Sequence, residues 1–123
     1  MQKKILIVDD EEDVLKILEK KLKENNYSCL TASRGQEALN LCKLDKPDLI
    51  LLDIALPDMD GYTIAAMLRK DKAMKDVSII FVTGKELEPK GIRERIKELG
   101  AYDCINKPCS FQDILAKIKA ALG

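Results

Sequence analysis

Histidine and tryptophan are both absent from the 123 residues of this chain. Without histidine there are no imidazole metal ligands, no Ser-His-Asp triad and no phosphohistidine, so any chemistry must come from carboxylates, hydroxyls, lysines, thiols and the backbone. Aromatic residues make up 4% of the chain, which leaves little material for stacking nucleic-acid bases. Basic and acidic residues both number 21, so the chain lacks the basic excess of nucleic-acid and membrane-surface binders.

Long apolar runs are also missing. The first run, Ile5 to Val8, is too short for the apolar region of a signal peptide, and no run approaches a membrane span. We therefore expect a cytoplasmic protein that binds neither membranes nor nucleic acid directly. We expect reduced thiols that act as small apolar residues, because none of the four cysteines forms a C-x-x-C pair: Cys29, Cys42, Cys104 and Cys109.

The chain alternates apolar runs with amphipathic segments. Runs at 4–8, 48–53 and 77–82 are apolar almost throughout, which is typical of parallel strands covered on both faces, and shorter strands are predicted at 27–32 and 102–105. Segments with helical periodicity lie at 13–23, 35–44, 62–70, 92–99 and from Ser110 onward. Five strands alternating with five helices predict a single doubly wound α/β domain over residues 1–123, with a parallel sheet.

Polar residues follow the apolar runs at the ends of the predicted strands. Asp9 and Asp10 follow the first strand, Asp53 ends the third, Thr83 ends the fourth and Lys107 follows the fifth. In such folds the carboxyl ends of the strands form one edge, where ligands bind. Clustered carboxylates repel one another unless a cation lies among them, and oxygen ligands alone favour Mg²⁺. The set suits phosphoryl transfer, with a carboxylate nucleophile, a metal, a hydroxyl donor and a lysine.

Each of these residues also has an ordinary structural interpretation. Asp10 could be the N-cap of the first helix, Asp9 a loop acid and Asp53 an acid in a turn before a helix. Thr83 could be a β-branched strand residue and Lys107 a solvated loop lysine. Their convergence on one predicted edge of the sheet favours a functional site.

Four segments carry these residues: ILIVDDEEDV, LILLDIALPDMDG, FVTG and GAYDCINKP. Together they resemble the receiver domain of response regulators in two-component signalling, the CheY-like superfamily, and the likeness covers the whole chain. The resemblance implies a flavodoxin-like strand order, 2-1-3-4-5, with five flanking helices. It implies a signalling phosphoacceptor, not an enzyme in the usual sense, that takes a phosphoryl group from the phosphohistidine of a sensor histidine kinase or a phosphotransfer protein.

The resemblance also implies how Mg²⁺ and phosphate are held. Asp53 is the phosphoacceptor, and Asp10 and Asp53 bind Mg²⁺ through their side chains. Asp9 holds the metal through a water molecule or from just outside its ligands, and Ala55 provides its backbone carbonyl. Ala55 and Lys85 flank the site at positions that tune the lifetime of the phosphate in this family.

Other residues would transmit the phosphorylation of Asp53 to partner proteins. Thr83 reorients to bond the phosphoryl group, Lys107 pairs with that group, and the peptide bond before Pro108 is cis. Pro57 and Gly61 shape the loop after the phosphoacceptor. A downstream output domain or protein would be contacted through helix 4, strand 5 and helix 5.

The chain departs from the family pattern near its end. Cys104 stands where strand five of most receivers carries an aromatic residue, and Cys109 follows Lys-Pro where phenylalanine is usual. A thiol buries less area than an aromatic ring, so a change of its rotamer has a smaller effect on the surface. Tyr102 is a candidate substitute for the missing aromatic residue, because it lies on the same predicted face of the strand as Cys104. Cys104 and Cys109 form either a redox-sensitive pair or two small core residues, and we favour the second interpretation.

Two other functions compete with phosphorylation. A pseudo-receiver would keep the fold as a protein-interaction domain with little or no phosphorylation, and the intact set of acids, hydroxyl and lysine counts against it. A Mg²⁺-dependent phosphatase of the haloacid dehalogenase kind would need a second acid two residues after its nucleophile, where this chain has Ala55 after Asp53.

Overall fold

The computed structural model describes residues 2–84 and 89–123, so Lys85, which was expected to flank the site, lies outside the described residues. Strands and helices alternate along the chain, as predicted. The strands are β1 (Lys4–Val8), β2 (Ser28–Ala32), β3 (Leu49–Asp53), β4 (Ser78–Thr83) and β5 (Asp103–Asn106). The helices are α1 (Glu12–Glu24), α2 (Gly35–Leu44), α3 (Gly61–Lys70), α4 (Pro89–Leu99) and α5 (Phe111–Leu122).

The five strands form one sheet in the order β2-β1-β3-β4-β5, and every neighbouring pair is parallel. This confirms the strand order that the family resemblance implied. The chain runs from β1 to β2 on one side of β1 and then crosses to β3 on its other side, so a crevice opens at the carboxyl ends of β1 and β3. That is where Asp9, Asp10 and Asp53 lie.

Both faces of the sheet are covered, which explains the unbroken apolar runs. Leu6 and Val8 of β1 pack into the cluster beneath α2, α3 and α4, whereas Ile5 and Ile7 pack into the cluster beneath α1 and α5. All five residues of β3 are buried. A strand that is covered on both faces has no solvent side on which polar residues are favoured.

Local sequence signals set several ends of the elements. Ser110 accepts a hydrogen bond from the backbone N–H of Asp113 and so caps α5, and Gly100, with φ +62°, follows α4 as predicted. The N-cap residue of α1 is Glu11, so the interpretation of Asp10 as that cap is wrong. Tyr102 lies just before β5 and is 48% exposed, and its substitution for the strand-five aromatic residue stays a prediction.

The four cysteines, all among the described residues, are free thiols. Cys104 packs against the cluster under α2–α4, and Cys109 packs against the cluster under α1 and α5. The two thiols therefore lie on opposite faces of the sheet, which supports small apolar packing residues over a redox pair. In the described part of the chain, no helix has the length and apolar character that crossing a membrane requires.

Candidate functional site

The carboxyl edge of the sheet brings together the acids that follow two different strands. Carboxylate oxygens of Asp9, Asp10 and Asp53 all lie within 4.8 Å of one another. The Lys107 ammonium, from the loop after β5, lies 2.9 Å from Asp9 Oδ2 and 3.4 Å from Asp53 Oδ2. We call these four residues the acidic cluster. The residues are far apart in sequence, and the parallel register of the strands places them at one edge.

Backbone groups fix the two buried acids of the cluster. Asp9 and Asp53 are 3% and 6% exposed, whereas Asp10 is exposed. Asp9 Oδ1 accepts the backbone N–H of Glu11 at 2.9 Å, and Asp53 Oδ1 accepts that of Ala55 at 3.0 Å. Each of these bonds spans two residues, as in an Asx turn. One oxygen of each buried carboxylate is thus held by the backbone, and the other faces Lys107.

Burial and the neighbouring groups shift the pKa values of Asp53 and Lys107 in the acidic cluster. Burial raises the pKa of Asp53 above its usual range, while the Ala55 N–H and the Lys107 ammonium act to lower it and the charge of Asp9 raises it. Burial alone would lower the pKa of Lys107, but its bonds and charge interactions with Asp9 and Asp53 outweigh burial and raise it. Lys107 therefore stays charged at neutral pH, but one ammonium cannot neutralise three carboxylates.

The donor chemistry of the cluster fits a small, hard cation. Its three carboxylates supply only oxygen ligands, and Asp10 stands on the open side, where a hydrated ion can enter. Mg²⁺ commonly takes one or two carboxylates and keeps water molecules in its other positions. The arrangement is therefore compatible with Mg²⁺ between Asp10 and Asp53, with Asp9 close by.

Gly61 holds the start of α3 against the backbone at the end of β3. Its N–H donates to the Ile54 carbonyl at 2.8 Å. A Cβ at this position would lie 2.8 Å from the Asp53 carbonyl oxygen and 2.9 Å from Ile54 Cα, so a side chain does not fit without movement of backbone. This close approach explains why α3 begins with a glycine.

Two acids in that loop were not singled out from the sequence. Asp60 is the N-cap of α3 and accepts the N–H of Thr63 at 2.8 Å, a role that the N-cap rule would have found. Asp58 accepts the N–H groups of Gly35 and Gln36 at the start of α2, at 2.8 and 3.0 Å. These two bonds lower the pKa of Asp58. Sequence rules for helix caps missed Asp58 because its partners lie 23 and 22 residues away.

Thr83 stands beside a residue that was also not singled out, Asn106. The parallel register pairs the two, and the Thr83 hydroxyl donates to Asn106 Oδ1 at 3.0 Å, with the Gly84 carbonyl as the longer alternative acceptor at 3.3 Å. The N–H of Lys107 donates to the Thr83 carbonyl at 2.7 Å, and the Lys107–Pro108 peptide bond is cis, the geometry that the resemblance implied. Thr83 itself is 1% exposed.

An aromatic pair lies near Cys104, but neither ring comes from β5. Phe81 is the register partner of Cys104, and the Tyr62 ring of α3 meets the Phe81 ring edge-on, with centroids 5.2 Å apart. The Arg95 guanidinium of α4 lies 5.2 Å from the Tyr62 centroid. We call these four residues the reporting patch. Burial raises the pKa of the Cys104 thiol, which argues against a reactive thiolate there.

Known proteins share both this sequence pattern and this fold. Residues 5–119 match the response regulator receiver domain family. The chain is 42% identical over 122 residues to the alkaline phosphatase synthesis transcriptional regulatory protein PhoP of Bacillus subtilis, covering 99% of this chain and 49% of PhoP. It is 43% identical to the probable transcriptional regulator ycf27 of Guillardia theta, covering 98% of this chain and 46% of that protein. The chain thus spans about half the length of these relatives.

Solved structures agree with the sequence relatives. A putative response regulator from Chloroflexus aurantiacus superposes with a TM-score of 0.89 at 30% identity, covering 99% of this chain and 98% of the other. A two-component response regulator from Clostridium difficile gives 0.87 at 31% identity, covering 98% and 96%. The chemotaxis regulator CheY4 of Vibrio cholerae gives 0.90 at 25% identity, covering 98% and 99%. With the fold and the family match in agreement, this chain belongs to the response regulator receiver domains of two-component signalling.

Proposed function

We propose that this receiver domain accepts a phosphoryl group on Asp53 with Mg²⁺ bound in the acidic cluster. The observation that carries the proposal is the position of Lys107, whose ammonium contacts carboxylate oxygens of both Asp9 and Asp53. It lies where it can pair with a phosphoryl oxygen once Asp53 is modified. The three carboxylates exceed the single ammonium in charge, which supports a bound cation beside Lys107.

In the proposed reaction the Asp53 carboxylate is the nucleophile. Its oxygen attacks phosphorus, the O–P bond forms as the N–P bond of a donor phosphohistidine breaks, and the imidazole leaves with the electron pair. Burial raises the pKa of Asp53, and the Ala55 N–H and the Lys107 ammonium act to lower it and so favour the ionised nucleophile. Bound Mg²⁺, held by Asp10 and Asp53 with the Ala55 carbonyl, would supply positive charge to the transferring phosphoryl oxygens.

After transfer, the remaining groups of the site would stabilise the acyl phosphate. Lys107 shifts from the carboxylate to a phosphoryl oxygen, and the Thr83 hydroxyl donates to another. Asp9 stays near the metal through water. In this proposal the domain catalyses only its own phosphorylation and dephosphorylation, and Ala55 cannot orient an attacking water with its side chain.

The partners that we propose are proteins. A sensor histidine kinase or a phosphotransfer protein is the donor, and the recipient of the signal contacts α4, β5 and α5. The relatives' names describe transcriptional regulators, so we propose a transcriptional output outside residues 1–123, which form one receiver domain. The zero net charge of this span supports contact with proteins more than with DNA.

Incubation with Mg²⁺ and acetyl phosphate, followed by intact mass spectrometry, tests the proposal. We expect an added mass of about 80 Da, one phosphoryl group, that requires Mg²⁺ and is absent in Asp53→Asn. An unchanged mass, or the same gain in the variant, would contradict phosphorylation at Asp53 and favour a pseudo-receiver. Sustained turnover of a generic phosphate ester would instead indicate a phosphatase.

A further inference from the structure

The hydroxyl proton of Thr83 already has a partner, although the proposed function needs that proton for a phosphoryl oxygen. Thr83 Oγ1 lies 3.0 Å from Asn106 Oδ1, and the longer contact of 3.3 Å runs to the Gly84 carbonyl. A threonine hydroxyl carries one proton and makes one good donor bond at a time. Thr83 must therefore release the Asn106 carbonyl oxygen before it donates to phosphate.

The fold places Asn106 for this contact. In the parallel register of β4 and β5, Thr83 and Asn106 are direct partners, so their side chains leave the same face at the ends of adjacent strands. The backbone N–H of the next residue, Lys107, donates to the Thr83 carbonyl at 2.7 Å, and this bond ends the pairing of the two strands. Thr83 is buried and Asn106 is exposed. Without Asn106, the hydroxyl proton of Thr83 would face the carboxyl edge of the sheet.

We propose that Asn106 is a positioning residue that holds the Thr83 hydroxyl in its unphosphorylated orientation and competes with the phosphoryl group for its proton. This inference rests on the proposed function of Asp53. A ligand shifts a two-state equilibrium only by its difference in affinity for the two states, so a bond that exists only in the unphosphorylated state opposes phosphoryl binding. Removing the Asn106 carbonyl oxygen removes that opposition.

The size of the effect follows from the type of bond. A hydrogen bond between neutral groups contributes a net free energy equal to about a two- to tenfold change in an equilibrium constant. Water can reach the exposed position and accept the Thr83 proton in place of Asn106. We therefore expect Asn106→Ala to tighten binding of a phosphoryl analogue by about threefold, within that range.

Calorimetric titration with beryllofluoride, a noncovalent phosphoryl analogue, in the presence of Mg²⁺ tests the proposal as a double-mutant cycle. The proteins are wild type, Asn106→Ala, Thr83→Val and the double variant. Asn106→Ala is expected to bind about threefold more tightly than wild type, and the same change on the Thr83→Val background is expected to shift affinity less than about twofold. A general structural effect of Asn106 would appear in both backgrounds.

Asn40→Ala is the matched control, because Asn40 is an exposed asparagine that accepts a side-chain bond from Gln36 within α2 at 3.1 Å. Its affinity for beryllofluoride should equal that of wild type. Unchanged or weaker binding by Asn106→Ala, or an equal gain with and without the Thr83 hydroxyl, would overturn the competition while leaving the proposed function standing. Absence of binding by wild type would overturn the proposed function, and this inference with it.

Discussion

The acidic cluster and the reporting patch lie at neighbouring parts of one sheet, yet they follow the family pattern to different degrees. In the acidic cluster each expected charged residue is present, and backbone N–H groups fix Asp9 and Asp53. In the reporting patch the aromatic rings come from Phe81 on β4 and Tyr62 on α3, and β5 supplies Cys104. Charge placement tolerates little change, whereas an apolar volume can be filled from more than one element.

This comparison predicts that chemistry and reporting separate experimentally. Changes in the acidic cluster should abolish or strongly slow phosphorylation, and changes in the reporting patch should alter stability while leaving phosphorylation intact.

Lys107→Met should give the largest effect on chemistry. Removing the ammonium takes away the cation that contacts both buried carboxylates, and we expect the rate of phosphorylation by acetyl phosphate to fall by about a hundredfold, as for loss of one charged transition-state donor. Lys46→Met is the control, because the Lys46–Asp76 ion pair is exposed and Lys46 is not part of the acidic cluster. Equal rates for wild type and Lys107→Met would contradict the assigned role.

Gly61→Ala should disturb the backbone of Asp53 and Ile54. The added Cβ meets the Asp53 carbonyl oxygen and Ile54 Cα, and relieving this overlap should lower the free energy of unfolding by about 1–3 kcal/mol. Urea denaturation measures the loss. Gly91→Ala is the matched control, because no atom of the described residues lies within 4 Å of its added Cβ and alanine favours a helix. A stability loss of similar size in both variants would show that the close approach at Gly61 is unimportant.

Tyr62→Leu tests whether the reporting patch is independent of the chemistry. It removes the edge-on contact between the Tyr62 and Phe81 rings and the ring face that the Arg95 guanidinium contacts. We therefore expect a loss of about 1 kcal/mol in the free energy of unfolding. Phosphorylation by acetyl phosphate should remain within twofold of wild type. A tenfold fall in that rate without unfolding would show that Tyr62 contributes to the chemistry and would end the separation of the two regions.

Asp103→Asn should give the smallest effect, and one that depends on pH. Burial would raise the pKa of Asp103, but its bonds to Lys117 and to the Cys104 N–H outweigh burial and lower it. A lowered folded-state pKa stabilises the protein above the unfolded value, about 3.9, and this stabilisation is lost as pH falls through the folded pKa. Both side chains are over a third exposed, so we expect a few tenths of a kcal/mol.

Urea unfolding of wild type and Asp103→Asn at neutral and acidic pH checks this last prediction. The two proteins should differ slightly at neutral pH and converge as the pH falls below the unfolded value, because the carboxylate of wild type then becomes protonated first in the unfolded chain and at lower pH in the folded one. A difference that grows toward acid would contradict the sign that we assign to the Lys117 pair.

The order and type of the elements could be predicted from the sequence because these signals are local. Strands covered on both faces read as unbroken apolar runs, as in β3, and helix ends carry their own signals, as at Ser110 and Gly100. Element ends differ from the prediction by one to three residues where no such signal stands, as at the start of β5 and the start of α4. The predicted grouping of the acids followed from the rule that parallel strands share one edge for their carboxyl ends.

The acids, the lysine and the hydroxyl that meet at that edge could be read from the sequence, because a parallel sheet leaves few places for residues at the end of a strand. Their hydrogen-bond partners could be identified only from the folded structure. The pairing of Asn106 with Thr83 depends on strand register, and the caps that Asp58 gives α2 join residues over twenty positions apart. The aromatic ring over Phe81 comes from α3 because packing fills a volume from whichever element reaches it.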